Sequence, residues 1–199
     1  MSVPSDTTLQ MDAADTRKDI KPELRRSLLS LRHALDEQQR IQWNTRISEH
    51  IENHLKTRSL TRLGVYFSTQ NEPDLMALYD VLSRKGITLS LPVVIKKATP
   101  LQFAQWKPGD PLKRDSYDIS TPETRNIVPL PQALLVPCLG FTKDKYRLGY
   151  GGGYFDRTLE QKPRPHTIGV SYSCLQTAFP VDEHDIPLDC IITETGIVR

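Results

Sequence analysis

The stretch from Arg147 to Arg157, reading Arg-Leu-Gly-Tyr-Gly-Gly-Gly-Tyr-Phe-Asp-Arg, gathers residue types suited to holding an anion. Four glycines in the five positions 149–153 leave peptide N–H groups unshielded by any Cβ, so the backbone can approach a phosphate closely. An arginine stands at each end, with a carboxylate at Asp156. The apolar run Ala133-Leu134-Leu135-Val136 precedes the loop, and a helix-permissive stretch from Phe155 to Gln161 follows it. Strand, glycine loop and helix start form an arrangement in which loop amides and the helix dipole favour negative charge. A glycine-rich turn without a ligand is the competing reading. The flanking Arg147, Asp156 and Arg157 weigh against it.

Two familiar phosphate motifs do not fit. A dinucleotide fingerprint counted from Gly149 and Gly151 needs a third glycine where Tyr154 stands. The P-loop ends in Gly-Lys-Ser/Thr, and no lysine lies between Lys145 and Lys162.

The block Leu134-Leu-Val-Pro-Cys-Leu-Gly-Phe141, followed by Arg147 to Arg157, resembles the signature of the 5-formyltetrahydrofolate cyclo-ligase (5,10-methenyltetrahydrofolate synthetase) family. Lys21-Pro-Glu-Leu-Arg25 is similar to that family's N-terminal Lys-x-x-Leu-Arg element. Tyr66-Phe-Ser-Thr-Gln-Asn-Glu72 resembles its substrate segment, and His184-Asp-Ile-Pro-Leu-Asp-Cys-Ile-Ile-Thr193 its C-terminal strand. The likeness runs from about Lys21 to Thr193, and the glycine block is its most specific part. There are departures. Thr142 and Lys145 stand where members commonly have aspartate and glycine, Thr121 where glutamate is frequent, and Gln132 or Ala133 where an aspartate is usual.

Composition narrows the classes. The 199 residues suffice for one domain with a substantial core. Net charge is +2, from 26 basic and 24 acidic residues, which argues against a dedicated nucleic-acid binder. No apolar run approaches the ~20 residues of a membrane helix, and the N-terminus lacks the pattern of a secretory signal. Cys138, Cys174 and Cys190 are widely spaced, with no Cys-x-x-Cys, and read as reduced thiols of a cytoplasmic protein.

The elements that must position the loop follow from periodicity. Residues 1–19 are polar and expected to be a flexible tail; residues 20–199 are expected to form a single domain. Leu24, Leu28, Leu31 and Leu35 mark one face of a first helix, with Pro22 in its first turn. Lys21, Arg25 and Arg32 project to one side of it. Asp36 suits the N-cap of a second helix with the stripe Trp43, Ile47, Ile51 and Leu55. Leu63 to Phe67 reads as a strand, followed by a helix from Pro73 to Arg84 that Gly86 ends. Further strands are expected at 87–94, 101–106, from Ala133, at 167–170 and at 189–193, and a helix to about Gln161. Residues 107–131 read as a long irregular segment covering something.

Each constellation has a neutral reading. Lys21 and Arg25, four apart, can grip one anion or form a solvated basic face. The resemblance implies that Lys21, Pro22, Glu23, Leu24 and Arg25 meet ATP phosphates, and that Arg25 also touches the folate. It implies the same ATP role for Arg147, Leu148, Gly149, Tyr150, Gly151, Gly152, Gly153, Tyr154 and Phe155. Glu72 either helps start the following helix or, as the resemblance implies, bonds the pterin with Phe67 packed against it. Asp156 and Asp189, converging on phosphates, are expected to hold Mg²⁺. His33, His50, His54, His166 and His184 do not form a metal set by spacing.

The expected fold is a single α/β domain with a mainly parallel central sheet, helices on both faces and ligands at the carboxyl edge. The resemblance implies a ligase that forms a C–N bond, cyclising 5-formyltetrahydrofolate to 5,10-methenyltetrahydrofolate through an N5-linked phosphorylated formyl group, with release of ADP and phosphate. In that reading Arg147 and Tyr154 are catalytic: Arg147 stabilises the transferring phosphoryl group and Tyr154 orients the reacting formyl group or its phosphate. The expected partners are a reduced folate and ATP, with no nucleic acid or membrane, acting on a monomer. A non-catalytic nucleotide-binding or RNA-associated module and a small-molecule kinase are the other readings of the same loop.

Overall fold

A computed structural model describes residues 20–115 and 119–199; the tail expected at residues 1–19 lies outside them. In chain order the elements are α1 (Ile20–His33), α2 (Glu37–Lys56), β1 (Arg62–Gly64), α3 (Met76–Arg84), β2 (Thr88–Val93) and β3 (Gln102–Gln105). Then come β4 (Leu112–Arg114), β5 (Ser120–Pro122), β6 (Ile127–Val128), β7 (Ala133–Pro137), β8 (Gly140–Phe141) and β9 (Arg147–Leu148). The chain closes with α4 (Tyr154–Leu159), β10 (His166–Val170), a 3₁₀ turn at Ser173–Leu175, β11 (Cys190–Thr193) and β12 (Gly196–Val198).

Eight strands form the main sheet in the order β12-β11-β10-β7-β1-β2-β3-β6. The five inner strands, β11 to β2 in that order, are mutually parallel. Antiparallel pairs close the edges at β12 on one side and at β3 and β6 on the other. From β1 the chain steps outward to β2, then returns to β7 and proceeds the opposite way to β10 and β11. The carboxyl ends of β1 and β7 therefore flank the point where the winding reverses, where such sheets open a crevice.

Residues 133–136 are at most 1 % exposed, as a strand covered on both faces requires. Leu135 joins the core beneath α1, α2 and α3, while Leu134 and Val136 face the second core with Phe141 and Leu159. Asp36 caps α2 as its sequence suggests, accepting from Gln39 N at 3.0 Å. On α1 the stripe differs from expectation: Leu31 is 44 % exposed and Arg32 is fully buried. Helix α3 starts at Met76 rather than Pro73: the Pro73 carbonyl accepts from the Tyr66 hydroxyl at 2.7 Å, and Asp74 Oδ1 accepts from Met76 N at 3.0 Å as the helix begins. The segment 107–131 is less irregular than its composition suggests, since it contains β4, β5 and β6. Lys145 holds the left-handed φ of 68° in the β8–β9 turn.

Candidate functional site

The loop after β1 is a tight turn from Thr69 to Glu72, closed by Glu72 N donating to Thr69 O at 2.9 Å. Its two central residues, Gln70 and Asn71, both take positive φ, at 49° and 60°. Such conformations cost energy in non-glycine residues and persist where neighbours over-determine them. Here the neighbour is Arg32, whose Nε donates to the Gln70 carbonyl at 2.9 Å. Glu72 Oε2 accepts from Thr69 N at 2.9 Å and from the Thr69 hydroxyl at 3.2 Å.

Tyr150 carries this turn to the glycine loop. Its hydroxyl donates to Glu72 Oε1 at 2.6 Å and accepts from Arg32 Nη2 at 2.7 Å. The elements after β1 and after β7 are thus joined through one phenol, with a fully buried guanidinium behind it. Burial pushes the Glu72 carboxyl above its usual range, and the bonds from Tyr150 and Thr69 pull it partly back. Burial also raises the Tyr150 phenol, so it stays protonated and donating.

In the loop itself, Gly151 (φ 94°) and Gly153 (φ 62°) take left-handed conformations that favour glycine. Arg25 lies across it, with Nε donating to Gly149 O at 2.8 Å and its guanidinium carbon 3.5 Å from where a Gly151 Cβ would stand. Arg157 reaches back to the Gly152 carbonyl and lies over the Tyr154 ring. Arg147 is nearly buried and pairs with Asp156 at 2.7 Å while lying over Phe155. The Nε atoms of Arg147 and Arg157 are buried without a hydrogen-bond partner among the described residues. One turn before Arg25, Lys21 Nζ contacts Asp182 at 2.6 Å and Asp185 at 2.8 Å. Burial opposes the Lys21 charge, but the two carboxylates prevail and its pKa is raised.

The structure therefore brings together Lys21, Arg25, Glu72, Arg147 and the residues of the glycine loop. Pro22 and Glu23 are exposed on the first turn of α1. Leu24 and Phe67 are half-buried against the core, and Leu148 is buried in it. Cys138, inside the signature, is a buried thiol pushed up to about 12 by burial, a packing group rather than a nucleophile.

Two expectations are corrected. Asp156 and Asp189 do not share a site: Asp156 is committed to Arg147, whereas Asp189 accepts from Thr167 N and Oγ1, both at 2.7 Å, at the amino ends of β10 and β11. The histidines are not all isolated either, since His54 and His166 meet beside Cys190. Sequence reasoning missed Arg32, Asp182 and Asp185 as members of this neighbourhood. Arg32 was visible only as the third cation on the Lys21–Arg25 side, and the partners that bury it are distant in sequence. Asp182 and Asp185 carry no local signal.

Comparisons with known proteins agree over most of the chain. The chain is 30% identical over 180 residues to 5-formyltetrahydrofolate cyclo-ligase of Haemophilus influenzae, covering 86% of this chain and 94% of that protein. The Escherichia coli K12 enzyme of the same name is 32% identical over 143 residues, 68% of this chain and 79% of that one. Among solved structures, the 5,10-methenyltetrahydrofolate synthetase of Mycoplasma pneumoniae superposes with a TM-score of 0.74 at 28% identity, over 87% of this chain and 98% of that one. The Aquifex aeolicus synthetase gives 0.73 at 29% identity, over 90% and 92%. The family's own model matches residues 17–194, a span that contains the Lys21–Arg25 turn, the Glu72 turn and the glycine loop, and by that match the chain belongs to the 5-formyltetrahydrofolate cyclo-ligase family.

Proposed function

We propose that this chain converts 5-formyltetrahydrofolate to 5,10-methenyltetrahydrofolate, using ATP with Mg²⁺ and releasing ADP and phosphate. The observation that carries the reading is the junction at the winding reversal. A carboxylate turn suited to a pterin and an arginine-flanked glycine loop suited to phosphates are joined by the Tyr150–Glu72 bond of 2.6 Å.

The chemistry asks for these parts. A formamide oxygen is a poor leaving group, so N10 of the folate does not displace it unaided. Transfer of the γ-phosphoryl group to that oxygen turns it into a leaving phosphate at N5. N10 then attacks the formyl carbon and gives up its proton to solvent, phosphate departs and the methenyl bridge closes. The protein's part is positioning and charge stabilisation, as in other phosphoryl transfers. Arg147 and the loop amides neutralise phosphate oxygens, and the unpartnered Nε of Arg147 is a donor ready for one. Lys21 and Arg25 meet the phosphates from α1, and Tyr154 orients the reacting group. Glu72, with its side chain already fixed, accepts from pterin N–H groups, and Phe67 packs beside the ring. Asp156, once Arg147 turns from it to the phosphates, is the carboxylate beside the loop that would hold Mg²⁺. The ion would offset the charge that accumulates on the transferring phosphate.

The purified chain, incubated with ATP, Mg²⁺ and 5-formyltetrahydrofolate, is expected to produce the methenyl absorbance and one phosphate per turnover. ATP consumption with a phosphorylated product and no methenyl band would establish a small-molecule kinase instead. ATP binding without turnover would leave a non-catalytic nucleotide module.

A further inference from the structure

At the amino ends of β10 and β11, away from the glycine loop, three potential metal ligands converge from three elements. His54 comes from the last turn of α2, His166 opens β10 and Cys190 opens β11. Their ligand atoms all lie within 4.8 Å of one another. His54 Nε2 is 3.0 Å from His166 Nε2 and 3.8 Å from Cys190 Sγ. Tetrahedral zinc, with bonds of about 2.05 Å to nitrogen and about 2.3 Å to sulfur, spaces N from N by about 3.3 Å and N from S by about 3.6 Å. These two spacings differ from those by a few tenths of an ångström, and the His166–Cys190 pair lies within the 4.8 Å that bounds the cluster, so small side-chain rotations close the set.

The surroundings supply what such a site needs. Asp189 Oδ2 lies 3.4 Å from His166 Nδ1, the carboxylate partner that orients ligating imidazoles and favours Nδ1–H, leaving Nε2 free to bind. That carboxylate is itself held by Thr167 N and Oγ1. The two imidazoles are partly exposed and the thiol buried, so an ion would have a solvent-facing fourth position. A thiolate at Cys190, with the Asp189 carboxylate behind His166, would balance the charge of the ion.

We propose that His54, His166 and Cys190 form a three-ligand site for a divalent transition ion of the zinc type, which clamps the end of α2 to β10 and β11. On binding, the proton between the two Nε2 atoms moves to Nδ1 of His54, and the Cys190 thiol proton passes to solvent. The mixed imidazole–thiolate set selects such an ion over Mg²⁺, which prefers oxygen ligands.

Cobalt(II) is the probe for the test. Titrated into the metal-stripped full-length chain, one equivalent is expected to give the visible bands of tetrahedral coordination and a near-ultraviolet thiolate charge-transfer band, both displaced by one equivalent of zinc. Cys190→Ser is expected to remove the charge-transfer band, and His54→Ala to weaken cobalt affinity by at least tenfold. Asp189→Asn should retain the band with affinity about 10- to 100-fold lower. His50→Ala and Cys174→Ser should behave as the parent chain. Circular dichroism on each variant establishes that it is folded, and His54→Ala, whose ring is half-exposed, serves if Cys190→Ser is not. The absence of a charge-transfer band, its survival in Cys190→Ser, or its loss in Cys174→Ser would overturn the proposal.

Discussion

Glu72 accepts from both sides at once, from the Thr69 backbone and from the Tyr150 phenol, so its replacement acts on both loops. Glu72→Gln keeps the shape but turns one acceptor into a donor that faces Thr69 N–H or the Tyr150 hydroxyl, both of which donate to Glu72, or a pterin N–H. The loss of a charged hydrogen bond is worth about 1.5–3 kcal/mol, which predicts a rise in folate KM of roughly ten- to a hundredfold. Because Tyr150 links Glu72 to the glycine loop, ATP affinity should weaken as well. Steady-state kinetics with each substrate varied in turn checks both, and an unmoved folate KM would remove Glu72 from the substrate site. Arg147 is a sharper case, being buried, paired and left with a free Nε. Arg147→Ala should lower turnover by a factor on the order of 10² or more, the scale of one well-placed electrostatic contact. Arg147→Lys should recover part of it, because the planar two-pronged geometry is lost. Single-turnover rates at saturating ATP are the measurement, and near-normal rates in the alanine variant would contradict the role.

At the scale of elements, the β8–β9 hairpin carries an avoidable strain. Lys145 holds φ 68° with a side chain attached, a conformation that costs roughly 1–2 kcal/mol outside glycine. Part of that gain is offset by the greater freedom of glycine in the unfolded chain. Lys145→Gly should therefore stabilise by about 0.5–1 kcal/mol, raising Tm by about 1–4 °C. Calorimetry decides it, and a lowered Tm would mean the lysine side chain contributes more than its backbone costs. The docking of α2 on β10 and β11 has a pH signature. Burial chiefly, with Arg58 assisting, holds the His54 and His166 imidazoles below their usual 6.5. The unfolded chain then takes up protons that the folded chain refuses, so stability is present above 6.5 and is lost as pH falls through the depressed folded values. Urea midpoints measured with a chelator present should drop between pH 7.5 and 5.5, and His54→Gln should flatten the drop. An unchanged slope in that variant would show the titration lies elsewhere.

For the whole molecule, the site is shared by α1, the turn after β1, the loop after β9 and the segment before β11, so ligands should bind the folded state as a unit. A ligand at a hundred times its Kd adds about 2.7 kcal/mol to stability. ATP with Mg²⁺ should thus raise Tm measurably, and 5-formyltetrahydrofolate should do so separately. Gly152→Val places a Cβ 2.8 Å from the Tyr154 ring, displacing it, and should abolish most of the ATP shift while leaving the apo Tm nearly unchanged. Equal ATP shifts in parent and variant would show that the loop is a turn without a ligand.

The local patterns determined much of this protein. The run at residues 133–136 is apolar without alternation, short and bounded by Pro131 and Pro137, which fits a strand covered on both faces better than a helix, so β7 and a layered α/β fold were legible. The Asp36 cap and the stripe Ile47, Ile51 and Leu55 were legible for the same reason: capping and helical periodicity act over a few residues. The glycine loop and its arginines were visible because backbone freedom and charge are written directly in residue types. What tertiary structure alone decided is which charges meet. Arg32 displaces Leu31 from the buried face because its two partners, Gln70 O and Tyr150, come from loops 38 and 118 residues away. Asp189 turns to Thr167 and His166 rather than to Asp156, since parallel strands set it at the amino end of the sheet. His54, His166 and Cys190 converge although more than 100 residues separate the first two. Pairings of this kind depend on strand register and helix docking, which no local spacing encodes.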